Sequence, residues 1–299
     1  MLLQLLLLLL LATSSASAQL DQLQGLNGLK EIPVTELSQQ DENPLGQIAL
    51  ALHPNEWKHA EGEHFIYHYV RSFVASRMAV EAEFNFRVVA KVLEKDVPTN
   101  GRKSHIYIFD RMADWQEFQK AGALEPWTGG IQSAGSLFVQ RDPAYKFSDH
   151  SLGHEIAHLL IYRSYGYRIP SWLNEGFAEY VSRNSHASYQ RARNYLAKPH
   201  SNSLAPDQVI ALNDLTAFAA PPNDRVEVFY DESERLVRFL AQTDKARFLA
   251  FLETIAKGDA FAPALRHSYA GVFASAADFE AKFRAYASED FRTTLPDQE

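Results

Sequence analysis

The spacing of hydrophobic residues changes along the chain from the period of a strand to the period of a helix. In the first half, alternation around Phe65, Tyr67 and Tyr69 is typical of a half-buried strand, and Ile106 and Ile108 repeat it. Strands are therefore predicted over residues 63–70, 104–110 and 136–140. Apolar residues at helical spacing predict a helix over residues 72–95 and a short one over residues 114–120.

From residue 148 onward the pattern is almost entirely helical. Helices are predicted over residues 149–165, 172–183, 187–196, 229–242, 245–257 and 276–287. Strands that come first and helices that come second are typical of an α+β fold with segregated layers. The expected architecture is an N-terminal small mixed sheet with helices, followed by a mainly helical C-terminal lobe.

The N-terminus predicts export. Residues Leu2 to Ala12 form an apolar run shorter than a typical transmembrane helix, and Ala16-Ser17-Ala18 follows it. This order is typical of a secretory signal peptide over residues 1–18, so we expect a periplasmic or extracellular protein with no membrane span in its mature chain. The alternative is an uncleaved membrane anchor, because no basic side chain precedes the run. Residues 19–54 are interpreted as a linker, an arm or a pro-segment, 55–291 as one domain, and 292–299 as a tail.

Composition narrows the chemistry. The 299 residues are 46% hydrophobic and 22% charged, which is ordinary for a globular protein with a sizeable core. The absence of cysteine excludes disulfides, thiolate metal sites and cysteine nucleophiles, so any metal must be held by His, Asp or Glu. A formal net charge of −8 argues against nucleic acid as a partner.

The strongest chemical signal is His154-Glu155-Ile156-Ala157-His158, the H-E-x-x-H pattern. Residues four apart lie on the same face of a helix, so His154 and His158 can converge on one Zn²⁺ ion. Glu155 is then placed beside them, where it can act as the general base toward water. A catalytic zinc needs a third protein ligand, which we expect to be a Glu, Asp or His from a later element.

A second helix is predicted to open with Pro170-Ser171-Trp172-Leu173-Asn174-Glu175-Gly176-Phe177-Ala178-Glu179-Tyr180. Glu175 and Glu179 lie one turn apart on it, beside large apolar residues. Paired carboxylates on a helix usually mark a solvated face, but here unpaired charge would be costly. Both residues are therefore candidates for the metal site.

These strings resemble the gluzincin metallopeptidases. His154-Glu155-x-x-His158 is followed by W-L-N-E-G-F-A, a string shared with aminopeptidase-N-like enzymes, and 16 residues separate His158 from Glu175. This gap is shorter than in those enzymes and more like the small peptidase-MA-like domains. The resemblance implies a thermolysin-like catalytic domain, Zn²⁺ bound by His154, His158 and Glu175, and a second carboxylate, Glu179, that hydrogen-bonds a ligand histidine. The reverse assignment, with Glu179 as the ligand, stays open.

The resemblance also implies a tyrosine donor for the oxyanion and an edge strand for the substrate. Tyr230 opens a matching Y-x-x-S-x-x-L segment, although a structural role beside Phe229 is the alternative. The edge strand is expected within residues 130–140. Aminopeptidases of the family carry a G-x-M-E-N string there, and residues 129–135 contain no glutamate. Endopeptidase activity, or another mode of exopeptidase activity, is therefore favoured over aminopeptidase activity.

Three functional hypotheses follow. The first is an exported zinc-dependent peptidase that acts on a peptide or protein substrate, with Glu155 as general base. The second is a catalytically silent gluzincin-like module that binds a peptide or a protein, against which the intact Glu155 argues. The third is a zinc hydrolase of a non-peptide amide or ester. Among the other histidines, His64 and His68 are expected to face solvent or to pair locally, and His105 has no partner at a recognisable spacing.

Overall fold

The computed structural model describes residues 29–95, 101–126, 128–142, 144, 151–193 and 209–288. Their contacts divide into two compact units. Within the described ranges, the residues up to 163 and residues 185–193 belong to the first unit, and residues 164–184 and 209–288 belong to the second. The predicted signal peptide and the predicted C-terminal tail lie outside the described residues.

The first unit contains a mixed five-stranded sheet. Its strands are β1 (Lys58–Glu61), β2 (Phe65–Tyr69), β3 (Ser104–Phe109), β4 (Gly130–Ser133) and β5 (Ser136–Gln140), in the spatial order β1-β2-β3-β5-β4. The three central strands β2, β3 and β5 are parallel to one another, whereas β1 and β4 pair antiparallel at the two edges. Every residue of the central strands is buried, as expected for parallel strands covered on both faces.

Helices precede, connect and follow the strands, and the last of them carries the H-E-x-x-H motif. They are α1 (Pro44–Leu52), α2 (Ser72–Leu93), α3 (Met112–Ala121) and α4 (Ser151–Tyr165). Parallel neighbours need a crossover connection, and α2 and α3 supply it between β2 and β3 and between β3 and the β4–β5 hairpin. Helix α1 begins at Pro44, where the side chain of Asn43 accepts a hydrogen bond from the backbone N–H of Leu45.

Aromatic rings fill the core on one face of this sheet. Tyr107 stacks on Phe138 at 4.8 Å between ring centres, and Phe109 stacks on Phe118 at 4.7 Å. The fully buried Trp115 packs beside them, and helix α1 contributes partly buried leucines to the same cluster.

The described residues of the second unit form helices and connecting loops, with no strand among them. It takes the start of α5 (Ser171–Ala192) and contains α6 (Leu212–Ala217), α7 (Val226–Thr243), α8 (Lys245–Ala256), α9 (Phe261–Ser268) and α10 (Ala276–Ser288). Its core is aromatic: the Trp172 ring packs edge-on against Phe261 at 5.6 Å, and Phe239 contacts Phe279 and Phe283 at under 6 Å. None of the helices in the described ranges is long and apolar enough to cross a membrane.

The α+β class predicted from the sequence is confirmed: the described chain is mostly helical, with one small mixed sheet. The prediction of two helices over residues 172–183 and 187–196 is wrong, because α5 runs unbroken from Ser171 to Ala192. Serines and asparagine lower helix propensity around residue 184, but buried Ser182 and Ser185 pack into the protein and the helix continues. The short elements β1, α1, α6 and α9 were not predicted, because each spans fewer than ten residues and shows no clear period.

Candidate metal centre

Helix α4 places the two motif histidines on one face. The Nε2 atoms of His154 and His158 lie 2.9 Å apart, and the two rings meet edge to face at 4.5 Å between their centres. The helix is held from its other side by Leu152, Ile156, Leu159 and Leu160, which are all fully buried. The apolar side of the helix thus fixes the backbone that carries the two imidazoles, each of which is partly exposed.

Glu155 lies against the edge strand β4. Only 8% of this residue is exposed, and a Cβ built onto Gly130 would lie 2.9 Å from both the Cγ and the Oε1 of Glu155. A side chain at position 130 would therefore displace the carboxylate, because such close contacts between carbon atoms and neighbours do not occur. The glycine at the start of β4 leaves the space that the carboxylate fills. This role of Gly130 was not predicted, since it depends on a contact between residues 25 positions apart.

Glu175 joins the two histidines in one group of potential ligands. It lies in the second turn of α5, and one ligand atom from each of His154, His158 and Glu175 lies within 4.8 Å of the others. Two imidazole nitrogens and one carboxylate are the donor set that three-ligand zinc sites use. The residues present therefore fit Zn²⁺, and they suit the hard cations Ca²⁺ and Mg²⁺ poorly, because those cations prefer oxygen ligands and two of the three donors are nitrogens.

The predicted role of Glu179 stays a prediction. The residue is buried, and its Oε2 atom lies 2.9 Å from the Nε atom of Arg183, one turn further along α5. Arg183 was not predicted from the sequence to have a role, because an arginine on a helix is ordinarily a surface residue. The arginine also contacts the helix that carries the candidate oxyanion donor.

Tyr230 lies in the second turn of α7, one residue after the fully buried Phe229. The two rings meet edge to face at 6.1 Å between their centres. The side chain of Tyr230 is only partly buried, which is compatible with either a donor at a site or a ring at the rim of the core. Its catalytic role stays a prediction.

The sheet holds a row of buried histidines that the sequence did not predict. Nδ1 of His59 lies 2.8 Å from Nδ1 of His68, whose Nε2 lies 2.8 Å from Nδ1 of His105. The His68 ring also stacks on Tyr107 at 4.3 Å. Of the two alternatives predicted for His68, exposure to solvent is wrong, because strand β2 is buried on both faces; the residue pairs with histidines of the two neighbouring strands. Burial lowers the pKa of all three histidines.

A second group that can hold a metal by its donor atoms is Glu63, His64 and Glu83. Nδ1 of His64 lies 2.6 Å from Oε2 of the buried Glu83, and Glu63 pairs with Arg87. The polar atoms of this group are thus paired with side chains of the protein itself, as in a structural histidine–carboxylate pair. The group therefore carries no further functional assignment.

Two histidines one turn apart and a glutamate from the following helix are the pattern of a gluzincin-type metal site. The chain belongs to the peptidase MA superfamily, whose family model matches residues 89–287, or 199 of its 299 residues. This membership supports peptidase activity, and the superfamily is generally zinc-dependent. No curated protein matches the chain significantly.

Proposed function

We propose that this protein is an exported, zinc-dependent peptidase with a thermolysin-like catalytic domain that hydrolyses peptide bonds with Glu155 as general base. The observation that carries the proposal is the grouping of His154, His158 and Glu175 around Glu155 of the same H-E-x-x-H helix. The membership in the peptidase MA superfamily supports the same class of reaction.

His154, His158 and Glu175 would hold the metal. A bound zinc ion would supply Lewis acidity and a water of lowered pKa. The Glu155 carboxylate takes a proton from water as it attacks the peptide carbonyl and then passes that proton to the leaving amine. Its near-complete burial against Gly130 keeps it in one position for both transfers. The phenol of Tyr230 donates a hydrogen bond to the oxyanion, which carries its charge only in the transition state and the intermediate.

The edge strand β4 is proposed to hold the substrate. In the described part of the chain, β4 pairs with β5 alone, so its other edge faces away from the sheet. An extended peptide can add to such an edge by backbone hydrogen bonds. These bonds form whatever side chains the peptide carries. Because β4 starts at Gly130, a substrate on this edge would pass close to Glu155.

We further propose that the enzyme is an endopeptidase. Capture of a free amino terminus needs a carboxylate near the edge strand. Residues 129–135, which form β4 and its flanks, contain no acidic side chain. These residues therefore offer no carboxylate to pair with a substrate's amino terminus, and a substrate bound along β4 can extend past the strand. Export follows from the proposed signal peptide over residues 1–18 and places the substrate in the periplasm or outside the cell.

Cleavage of a diverse peptide mixture by the purified protein tests this function. The wild type should contain about one zinc per chain and cut within peptides rather than from their amino ends. Glu155→Gln should retain the zinc and lose cleavage by roughly three orders of magnitude or more. Glu280→Gln, which removes an exposed carboxylate on α10, is the control and should change neither. A wild-type protein without stoichiometric metal, or a Glu155→Gln variant that cleaves normally, would refute the proposal.

A further inference from the structure

Arg183 joins two helices through three carboxylates. Its Nε atom lies 2.9 Å from Oε2 of Glu179 on α5, and its Nη2 atom donates to Oδ1 of Asp231 on α7 at 3.3 Å. Nη1 lies 3.9 Å from Oε2 of Glu234, also on α7. Only 12% of the arginine side chain is exposed, so these contacts are largely shielded from water.

The charges in this cluster depend on one another. Burial lowers the pKa of Arg183, but the carboxylates of Glu179, Glu234 and Asp231 outweigh it and raise that pKa. Burial raises the pKa of Glu234. The positive charges of Arg238 and Arg183 oppose this rise, whereas the negative charge of Glu179 adds to it. Without the guanidinium, Glu179 and Glu234 would face each other as buried carboxylates with less compensation.

A second close contact fixes the same pair of helices. A Cβ built onto Gly176 of α5 would lie 2.3 Å from the carbonyl oxygen of Ser233 on α7, so the two backbones are as close as a glycine permits. Arg183 lies two turns further along α5 and reaches back to Asp231. Helix α7 is thus held at two points, and both lie within three residues of Tyr230 in the α7 sequence.

We propose that Arg183 is a positioning residue that fixes Tyr230 on α7 relative to Glu175 and Glu179 on α5. This inference rests on the proposed function, because it assigns to Tyr230 the hydrogen bond to the oxyanion. The geometry gives the reason: Asp231 follows Tyr230 directly, so the Arg183–Asp231 contact restrains the backbone turn from which the phenol projects. A donor that is displaced by about 1 Å loses a large part of its effect on the rate.

Two variants weaken this contact by different amounts. Arg183→Gln removes the charge, and Arg183→Lys keeps the charge without the planar fork that reaches two helices. We expect kcat to fall roughly tenfold to a hundredfold in Arg183→Gln with little change in KM, and partial recovery in Arg183→Lys. Zinc content should stay near one per chain in both. Asp231→Asn, which alters a more exposed partner, provides the same test if Arg183→Gln does not fold.

A double-mutant cycle with Tyr230→Phe separates positioning from general stabilisation. If Arg183 acts through the phenol, then Arg183→Gln should cost much less activity in the Tyr230→Phe background than in the wild type. The dissociation constant of a phosphinic peptide, a charged tetrahedral mimic of the transition state, should follow the same non-additive pattern. The peptide substrate for kcat is one that wild-type protein cleaves in the mixture described above.

Arg247→Gln is the matched control within the same unit. This arginine pairs with Asp244 and donates to the carbonyls of Ser268 and Ala270, so its loss should lower the melting temperature without changing kcat. Additive effects of Arg183→Gln and Tyr230→Phe on kcat, or an equal loss in Arg247→Gln, would overturn the inference and leave the peptidase proposal intact. An inactive wild type or a zinc-free wild type would instead overturn the peptidase proposal itself.

Discussion

Replacement of Gly176 by alanine tests the close approach of α5 and α7. The added methyl group would lie 2.3 Å from the carbonyl oxygen of Ser233 and 2.9 Å from Cγ2 of Val237. Carbon–oxygen contacts between neighbouring backbones ordinarily lie at about 3.3–3.6 Å. The oxygen belongs to the α7 backbone and cannot rotate away, so α7 would have to withdraw from α5 by about 1 Å.

Two opposing effects determine the stability of this variant. Alanine is better than glycine in a helix interior by about 1 kcal/mol. Overpacking costs about 1–3 kcal/mol, and a contact with backbone belongs at the upper end of that range. The expected net loss is therefore about 2 kcal/mol in the free energy of unfolding. At about 2–4 °C per kcal/mol for a chain of this size, the melting temperature should fall by about 4–8 °C.

The same displacement should reduce activity, because Glu175 directly precedes the glycine and Tyr230 lies on the helix that moves. A shift of about 1 Å between such groups can cost about a hundredfold in kcat/KM. The assay pairs thermal unfolding with peptide cleavage at a temperature where the variant is folded. Gly122→Ala, at the end of α3, is the control: the nearest atoms to its Cβ would be side-chain carbons of Leu124 and Leu45 at 3.1 Å, and none of these residues belongs to the candidate site. A Gly176→Ala protein as stable as the wild type would show that helix propensity outweighs the contact, contrary to this reasoning.

Three further outcomes are expected. Gly130→Ala should retain zinc but lower kcat roughly tenfold or more, since its Cβ would occupy the space of the Glu155 carboxylate; unchanged kcat would contradict that contact. The free energy of unfolding should fall as the pH drops below about 6.5. Burial lowers the pKa of His59, His68 and His105, although Glu31, Asp41 and Glu61 oppose this effect. The unfolded chain therefore binds more protons than the folded chain in this range. Urea midpoints at pH 7.5 and 5.5 should differ less in His68→Asn than in the wild type, and equal differences would count against the buried row. Removal of the metal by a chelator should lower the melting temperature by roughly 8–16 °C if free zinc exceeds its Kd about a thousandfold, since zinc binds only the folded chain; no shift would exclude stoichiometric binding by this site.

The helix that carries the H-E-x-x-H motif could be predicted from sequence because the motif is local. His154 and His158 share a face by helical spacing alone, and the structure places their nitrogens 2.9 Å apart on α4. Trp172, at the start of the second predicted helix, is 1% exposed and packs against the ring of Phe261. The prediction of Glu175 as a ligand required the resemblance to a family. The spacing of residues within one helix does not indicate which carboxylate of the next helix lies near the two histidines.

Contacts that join distant parts of the chain could not be predicted in this way. The Glu155–Gly130 contact connects a helix to a strand, and Arg183 meets Asp231 across 47 intervening residues. The burial of His68 could not be predicted, since histidine is common on protein surfaces. Its aromatic neighbours in sequence indicate a strand but do not show that both faces of the strand are buried. Residues of this kind are recognised only when the fold brings their partners to them.

Gly176 shows how one short string can encode both chemistry and packing. In W-L-N-E-G-F-A, the glutamate is the candidate ligand and the glycine next to it admits the α7 backbone, while Trp172 and Phe177 fill the core behind them. A ligand is useful only if the helix that carries it stays in place, and close contact with α7 restrains that helix directly beside Glu175. The string therefore combines a ligand with the support that holds it, which explains why its match to the family is more informative than the two histidines alone. If Gly176→Ala lost activity in proportion to its stability at every temperature, this link between packing and ligand position would be unnecessary, whereas loss of activity in a fully folded variant would support it.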